Sequence, residues 1–425
     1  MHDTIFALSS GAPPAAIAVV RISGPKAGEA LLRVAGRVPE PRRTAYLRLR
    51  DAAGETLDHA LVLWLPGPGT ATGEDIAELH CHGGRAVVSA LERALAQIPE
   101  LRRATPGEFT RRAFANGRID LAEAEGLADL LSADTELQRR SAVAVAGGSL
   151  SRQIEEWRTQ LLTASAAVEA VLDFADEDDV ALLPPEFISQ VDDLRAQIAD
   201  WLRRPKAEAL REGFRVVLAG PPNAGKSTLF NVLVDSEAAI TAPIAGTTRD
   251  VLTKPVAMEG IPFLFADTAG LRDETGDTIE AIGVERARSE LERADLVLWL
   301  GPEGEGPTDA WELEPQADRA AHTPKRTPRH RVSALTGEGM AGLQRDLITA
   351  ARGAMPKPGE AALNARQHRL LSDAEAALAA AGHATNPLLL AEHLRLARLS
   401  FDALLGRTTT EDMLDALFGR FCIGK

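Results

Sequence analysis

Apolar positions along this chain follow two rhythms that alternate from block to block. From residue 1 to about 115 the apolar runs are short and end at turn residues. Residues 16–22 (AIAVVRI) and 60–65 (ALVLWL) have strand length, and residues 76–82 alternate in part before stopping at Gly83-Gly84. Residues 85–98 then carry helical spacing. This mixture predicts an α+β domain. From about 119 to 211 the pattern lengthens: residues 121–145 and 150–172 read as helices, Pro184-Pro185 interrupts, and residues 187–210 resume. Between 213 and about 352 strand and helix signals alternate, which predicts a parallel sheet with crossover helices. Helical spacing returns at 361–381, 387–405 and 411–421. The predicted division is therefore 1–117, 118–211, 212–352 and 353–425, with the α/β block inserted between two parts of one helical domain. No internal repeat is present.

Composition narrows the classes. The 425 residues are 45% hydrophobic but only 4% aromatic, so Ala and Leu carry the apolar volume, as suits helices. A net charge of −14 argues against a surface coated for nucleic acid, so any such contact is local or shared with a partner. Two cysteines, Cys81 and Cys422, imply no disulfide framework. The N-terminus lacks a basic segment before an apolar one, and no run approaches 18 apolar residues. The expectation is a soluble cytoplasmic protein with no membrane-spanning segment.

The chemistry concentrates in the inserted block. Residues 220–227 read GPPNAGKS directly after the apolar run FRVVLA. Glycines let the backbone curl around phosphates, so that the N–H groups of Asn223, Ala224 and Gly225 point at the anion. Lys226 reaches the β- and γ-phosphates, the Ser227 hydroxyl ligates Mg²⁺, and the helix opening through Thr228 adds its positive end. Asp267-Thr268-Ala269-Gly270, after a second apolar run, has the D-x-x-G form that sets a carboxylate near Mg²⁺ and a glycine N–H near the γ-phosphate. Between them, residues 246–250 (GTTRD) read as a switch loop whose threonine, Thr248, completes the Mg²⁺ shell. Leu271 stands where many such GTPases carry a water-orienting glutamine, so another group must hold the water. The guanine-reading N-K-x-D is also missing. Pro315-Gln316-Ala317-Asp318 keeps only the final acid, in a segment with no convincing strand. Asp318 is thus either a reader of guanine or an ordinary loop acid, while residues 332–339 (VSALTGEG) resemble the loop in which Ser333 and Ala334 approach the base.

Elsewhere the patterns admit plainer readings. His80-Cys81-His82 has metal-ligating residue types, but on a strand Cys81 points away from the two histidines. The basic pairs at 102–103, 111–112, 139–140 and 203–204 meet RNA phosphates or form solvated faces. The cluster at 325–331 (KRTPRHR) reads as loop surface.

Taken together the motifs resemble the tRNA-uridine-modification GTPase family (the TrmE/MnmE type) over nearly the whole length. The resemblance is carried by Asp3-Thr4-Ile5, Thr72-Gly73-Glu74-Asp75, His82-Gly83-Gly84, residues 106–114 (PGEFTRRAF), residues 116–125 (NGRIDLAEAE), the three nucleotide motifs, and the closing FCIGK at 421–425. It implies a cytoplasmic homodimer with an N-terminal domain that binds 5-formyltetrahydrofolate or a related folate. It also implies an inserted GTPase and an FAD-dependent flavoprotein partner of the MnmG type. Together they would add an aminomethyl or carboxymethylaminomethyl group to C5 of the wobble uridine of certain tRNAs. By position, Arg21, Glu78, Arg118 and Lys425 match the folate site. Asn223 matches a K⁺ ligand, with Thr247 in the loop that completes that site and the carbonyls of Ala242 and Ile244 as co-ligands. Glu280 matches the catalytic glutamate, filling the gap left by Leu271. The resemblance makes Cys422 important for the modification, near the folate or in its chemistry; the bland alternative is a small buried residue. An RNA-binding ribosome-assembly GTPase is the competing reading, but it would need neither the N-terminal 118 residues nor the terminal thiol.

Overall fold

The computed structural model describes residues 3–173, 183–235, 253–267, 288–318, 324–408 and 410–424. They form two compact units, Met1–Ala128 with Asp402–Lys425, and Asp129–Phe401.

The first unit is built on a six-stranded sheet: β1 (Thr4–Leu8), β2 (Ala15–Ser23), β3 (Thr44–Arg50), β4 (Thr56–Leu65), β5 (Ile76–Gly83) and β6 (Leu101–Arg103). Its spatial order is β3-β4-β5-β2-β1-β6. Neighbours run antiparallel except β6, which lies parallel to β1. Two-residue periodicity sorts the side chains. Ala77, Leu79 and Cys81 join the core with Val20, Ile22 and Val62, under α1 (Ala27–Ala35) and α2 (Arg85–Ala96). Glu78, His80 and His82 lie on the other face. Helices α3 (Glu108–Ala115) and α4 (Leu121–Leu131) follow. The helix Glu411–Phe418 packs on α3 through Phe114 and Phe418, whose rings lie 6.1 Å apart, and through ion pairs of Arg111 with Glu411 and Asp415.

The second unit holds the other sheet: β7 (Phe214–Ala219), β8 (Thr253–Met258), β9 (Ile261–Asp267), β10 (Leu296–Trp299), β11 (Trp311–Glu314) and β12 (His330–Arg331). Its order is β12-β11-β10-β7-β9-β8, parallel throughout apart from the β8–β9 hairpin. All six residues of β7 are buried, as a central parallel strand requires. Helices α5 (Glu136–Ala146), α6 (Ser149–Asp173), α7 (Phe187–Leu202), α8 (Ala207–Glu212) and α9 (Lys226–Val234) belong here, as do Met340–Ala354 and Ala365–His383. The Trp157 ring on α6, fully buried, meets Trp201 at 5.8 Å and Phe401 at 6.1 Å between ring centroids.

Three differences from the sequence reading have local causes. The helix expected over 121–145 is two helices, because Thr135 caps α5 in a capping box with Gln138. The one expected over 187–210 also divides, into α7 and α8, around Pro205. Strand β11 lies in the segment where none was expected. Its sequence WELE hides the alternation because Glu314 is itself buried, accepting the Lys325 N–H at 2.9 Å and pairing with Arg331 at 3.3 Å. Lys325 is accordingly no surface residue: it is buried, ion-paired with Glu312, and donates to the Trp299 carbonyl. At the β8–β9 turn, Glu259 and Gly260 are both left-handed (φ 47° and 77°), and the Gly260 carbonyl accepts the Leu137 N–H in the first turn of α5 at 3.2 Å.

Candidate nucleotide site

The phosphate loop leaves the carboxyl end of central β7. Gly220 has φ 148°, and a Cβ there would sit 3.0 Å from the Gly301 nitrogen, so the close approach of two strand exits calls for glycine. Asn223 (φ 62°) and Gly225 (φ 91°) are both left-handed, curling the chain back before α9 begins at Lys226. Gly225 caps α9 without a side-chain acceptor, so the first-turn N–H groups are not engaged by a capping side chain. Lys226 is only 5% exposed; its ammonium donates to the carbonyls of Gly220 (2.9 Å) and Pro221 (2.8 Å), fixing a cation inside the loop. Asp267, the last residue of β9, accepts the Ser227 hydroxyl at 2.6 Å. A hydroxyl and a carboxylate, both hard oxygen donors at one helix head, suit Mg²⁺.

Beside the loop runs a cleft lined by Gly225, Thr228, Leu229, Pro315, Gln316, Asp318, Val332, Ala334 and Leu335. Asp318 and Ala334, far apart in sequence, thus line one cleft with the first turn of α9. Ser333 is fully buried; its oxygen accepts the Thr336 N–H and its N–H donates to Glu338, so it shapes the turn that presents Ala334. Ala224 packs against the core of this unit. The sequence reading passed over Gln316, whose amide donates to the Asn223 carbonyl at 3.4 Å. The usable signal was its position inside the incomplete N-K-x-D. Ala242, Ile244, Thr247, Thr248, Thr268, Ala269, Gly270, Glu280 and Lys425 lie outside the described residues.

In the first unit, Arg21 on β2 and Glu78 on β5 are cross-strand partners, with guanidinium nitrogens 2.9 and 3.0 Å from one carboxylate oxygen. Burial pushes the Glu78 carboxyl up, but His80 at 3.1 Å and Arg21 outweigh it and hold the group below its ordinary range. The Arg21 guanidinium also lies 5.9 Å from the Phe109 ring centroid. Arg118 is exposed and borders the Gly73 turn. The tail docks beside β1: the Ser9 hydroxyl donates to the Gly424 carbonyl at 2.8 Å, and a Cβ on Gly424 would meet the Leu8 carbonyl at 2.0 Å. Leu8 neighbours Ala7, which pairs with Arg21, so the tail lies near the Arg21 end of the sheet. Cys422 is exposed there, against the reading of a small buried residue. His82 bonds Asp58 at 2.8 Å while His80 bonds Glu78, so the two histidines serve different carboxylates; burial, then Asp58, push the Cys81 thiol up to about 11.

Several of the residues that carry the resemblance bond one another. Arg112, with a fully buried side chain, meets Asp3 at 2.9 Å, Glu74 at 3.2 Å and Glu108 at 3.2 Å. Glu108 also receives Arg102 at 2.5 Å and the Thr105 N–H at 2.9 Å. Burial raises the Glu108 carboxyl, but these partners bring it below its usual value. Arg112 is thus neither solvated nor open to a phosphate. Arg103, Arg139 and Arg203 pair with Glu92, Glu136 and Asp200.

A glycine-bent loop between a buried parallel strand and a helix, a lysine inside it, and a serine–aspartate pair at the helix head define a phosphate-loop nucleotide-binding protein. Comparison carries this further. A family model described as the GTP-binding protein TrmE N-terminus matches residues 4–118, and one described as the MnmE helical domain matches residues 121–422. The "tRNA modification GTPase MnmE" of Erythrobacter litoralis is 63% identical, and that of Novosphingobium aromaticivorans 62% identical, each match covering 100% of both chains. The counterpart in Sphingopyxis alaskensis is 52% identical over 96% of this chain and 100% of its own. Among solved structures, the G domain of the T. maritima FeoB iron transporter matches 32% of this chain and 98% of its own at 22% identity, with a TM-score of 0.23, too low to argue fold. The chain belongs to the MnmE family of tRNA modification GTPases.

Proposed function

We propose that this chain binds GTP with Mg²⁺ at residues 220–227, hydrolyses it, and uses the cycle in modifying C5 of the wobble uridine of certain tRNAs. The 2.6 Å contact between Ser227 and Asp267 at the head of α9 carries the nucleotide part of this reading. Backbone N–H groups of the loop and the Lys226 ammonium would grip the β- and γ-phosphates. Ser227, Asp267 and Thr248 would hold Mg²⁺, which when bound neutralises charge on the β- and γ-oxygens. Asn223, Thr247 and the carbonyls of Ala242 and Ile244 would hold K⁺, the positive charge that an arginine finger supplies elsewhere. Asp318 would accept from guanine N1 and N2 while the Ala334 N–H meets O6. Glu280 would position the attacking water, since Leu271 cannot.

On the first unit, an ionised Glu78 beside Arg21 suits the paired donors of a pterin, and Arg118 with Lys425 suits the carboxylates of a folate. We assign 5-formyltetrahydrofolate or a relative to this face, Cys422 to the modification step, and a flavoprotein of the MnmG type as partner of a cytoplasmic homodimer. The domains proposed are 1–117, 118–211, 212–352 and 353–425. Support comes from the family membership and from the tail lying near Arg21. Among the described residues no helix is long and apolar enough to cross a membrane.

The test is GTP turnover by the full chain in K⁺ and in Na⁺ at equal ionic strength. Turnover should rise in K⁺ and fall strongly in Glu280→Ala with GTP binding retained. Equal rates in both salts reject the K⁺ site, and unaltered turnover in Glu280→Ala rejects its role. In a strain lacking the chain, the wobble modification should vanish and return on complementation.

A further inference from the structure

Helix α5 precedes the α/β block in the chain, yet its first turns are bonded to that block and its flanks at three places. The Leu137 N–H donates to the Gly260 carbonyl in the β8–β9 turn at 3.2 Å, the Gln138 amide to the Leu210 carbonyl of α8 at 2.7 Å, and the Ser141 hydroxyl to the Glu360 carbonyl at 3.0 Å. These acceptors sit at the hairpin, just ahead of β7, and beyond the helix Met340–Ala354. The hairpin contact is the one suited to let go. A two-residue reversal with both residues left-handed favours Asn-Gly, and Glu259 (φ 47°) adopts that conformation against the crowding of its own Cβ. Its carboxylate meets Arg352 at 2.7 Å, in a pair whose side chains are each 59% exposed and therefore loosely held. Beside the turn opens a cleft of about 400 Å³, bounded by α5, the turn and residues 355–358, with the buried Leu137, Ile261 and Met355 on its walls. A strained residue, a solvent-exposed ion pair and adjoining space are the parts of an element with two positions.

We propose that the β8–β9 turn is a releasable latch on α5, through which the nucleotide site governs how this helix is held. The inference rests on the reading of residues 220–227 as the GTP site. Strand β9 joins the two ends. Ile261 follows the turn, and Asp267, about 20 Å further along the extended strand, accepts the Ser227 hydroxyl at the head of α9. Because β9 is paired on both sides, with β7 and β8, it passes a shift along its length instead of absorbing it. A displacement at Asp267 therefore arrives at Gly260. Release there relieves the Glu259 backbone and gives up one exposed ion pair and one hydrogen bond. The bonds of α5 to Leu210 and Glu360 survive, so the helix keeps its seat while its hold on the sheet changes. The coupling is reciprocal: whatever fixes α5 to the turn restrains the nucleotide site.

The test locks the latch in the full chain. A Cβ on Gly260 would stand 3.3 Å from the Glu136 Cβ, close to the separation that a disulfide spans. Glu136→Cys combined with Gly260→Cys can thus be joined by mild oxidation and reopened with dithiothreitol. Turnover at saturating GTP should fall at least about fivefold in the oxidised form and recover on reduction, while the parent treated alike is unaltered. Equal turnover with the bond closed and open overturns the inference. So does failure of the two thiols to join, because turn and helix would then not be seated together. A second set leaves the turn glycine in place: Glu259→Arg, Arg352→Glu and the two combined. Each single change should alter turnover about twofold to fivefold, and the combined chain should return to within about twofold of the parent. Coupling that appears in melting temperature but not in turnover makes the pair a purely structural one and overturns the latch. A parent chain that retains no GTP removes the underlying reading instead.

Discussion

The two units each gather residues that sequence motifs single out, but they gather them differently. In the first, Asp3, Glu74, Glu108 and Arg112 turn toward one another, and their charges are satisfied inside the protein. In the second, the motif bends the backbone and sets Lys226, Ser227 and Asp267 around the head of α9, where a ligand can join them. A motif is therefore not in itself a site. Charges that close on each other build architecture, whereas donors arranged around a cradle are ready for chemistry. By this measure Arg21 and Glu78 are intermediate: they bond each other on an open sheet face and keep part of their surface.

The largest expected effect breaks the architectural side. Arg112→Met should destabilise the first unit by about 3–5 kcal/mol, because three carboxylates lose a buried partner. Denaturant unfolding followed by amide exchange should assign the loss to residues 1–128; a change under about 1 kcal/mol would place Arg112 with ordinary surface charges. Lys226→Ala should do the opposite, lowering GTP turnover by about 10²–10³-fold while the unfolding of the first unit is unaltered. Gly424→Ala sharpens the intermediate case. A Cβ facing the Leu8 carbonyl at a left-handed position (φ 96°) should cost about 1–3 kcal/mol of tail docking, visible as faster proteolysis of the C-terminal residues. The mildest effect is acidic. Glu108 and Asp3 titrate below their ordinary values of 4.5 and 3.8 in the fold, so their stabilisation is present above those values and is lost as pH falls through the lower folded ones. Melting of the first unit should be flat from pH 7 to about 5 and decline below, and Glu108→Gln should flatten that decline.

What the sequence made legible follows the same division. Strand β7 and its loop could be read because an all-buried strand is a continuous apolar run and the cradle needs glycines at fixed places. The ion network could not, since nothing in residues 106–114 says that Arg112 is buried while Arg111 reaches the last helix. Strand β11 was hidden for a related reason: Glu314 fills an interior position where patterning expects an apolar residue, and its partners Lys325 and Arg331 come 11 and more residues later. The cleft beside the phosphate loop is half legible in the sequence. Asp318 was noticed for its acid, but its cleft with Ala334 exists only because β11 and β12 are adjacent parallel strands.

The bond from the Leu137 N–H to the Gly260 carbonyl offers a local reporter. A second residue of a helix ordinarily has no acceptor within its own helix, so its hydrogen would exchange with solvent quickly. Here the acceptor belongs to the hairpin whose second strand ends on Asp267. Deuterium uptake at that single amide, followed through one round of hydrolysis, would show whether a displacement reaches the far end of β9.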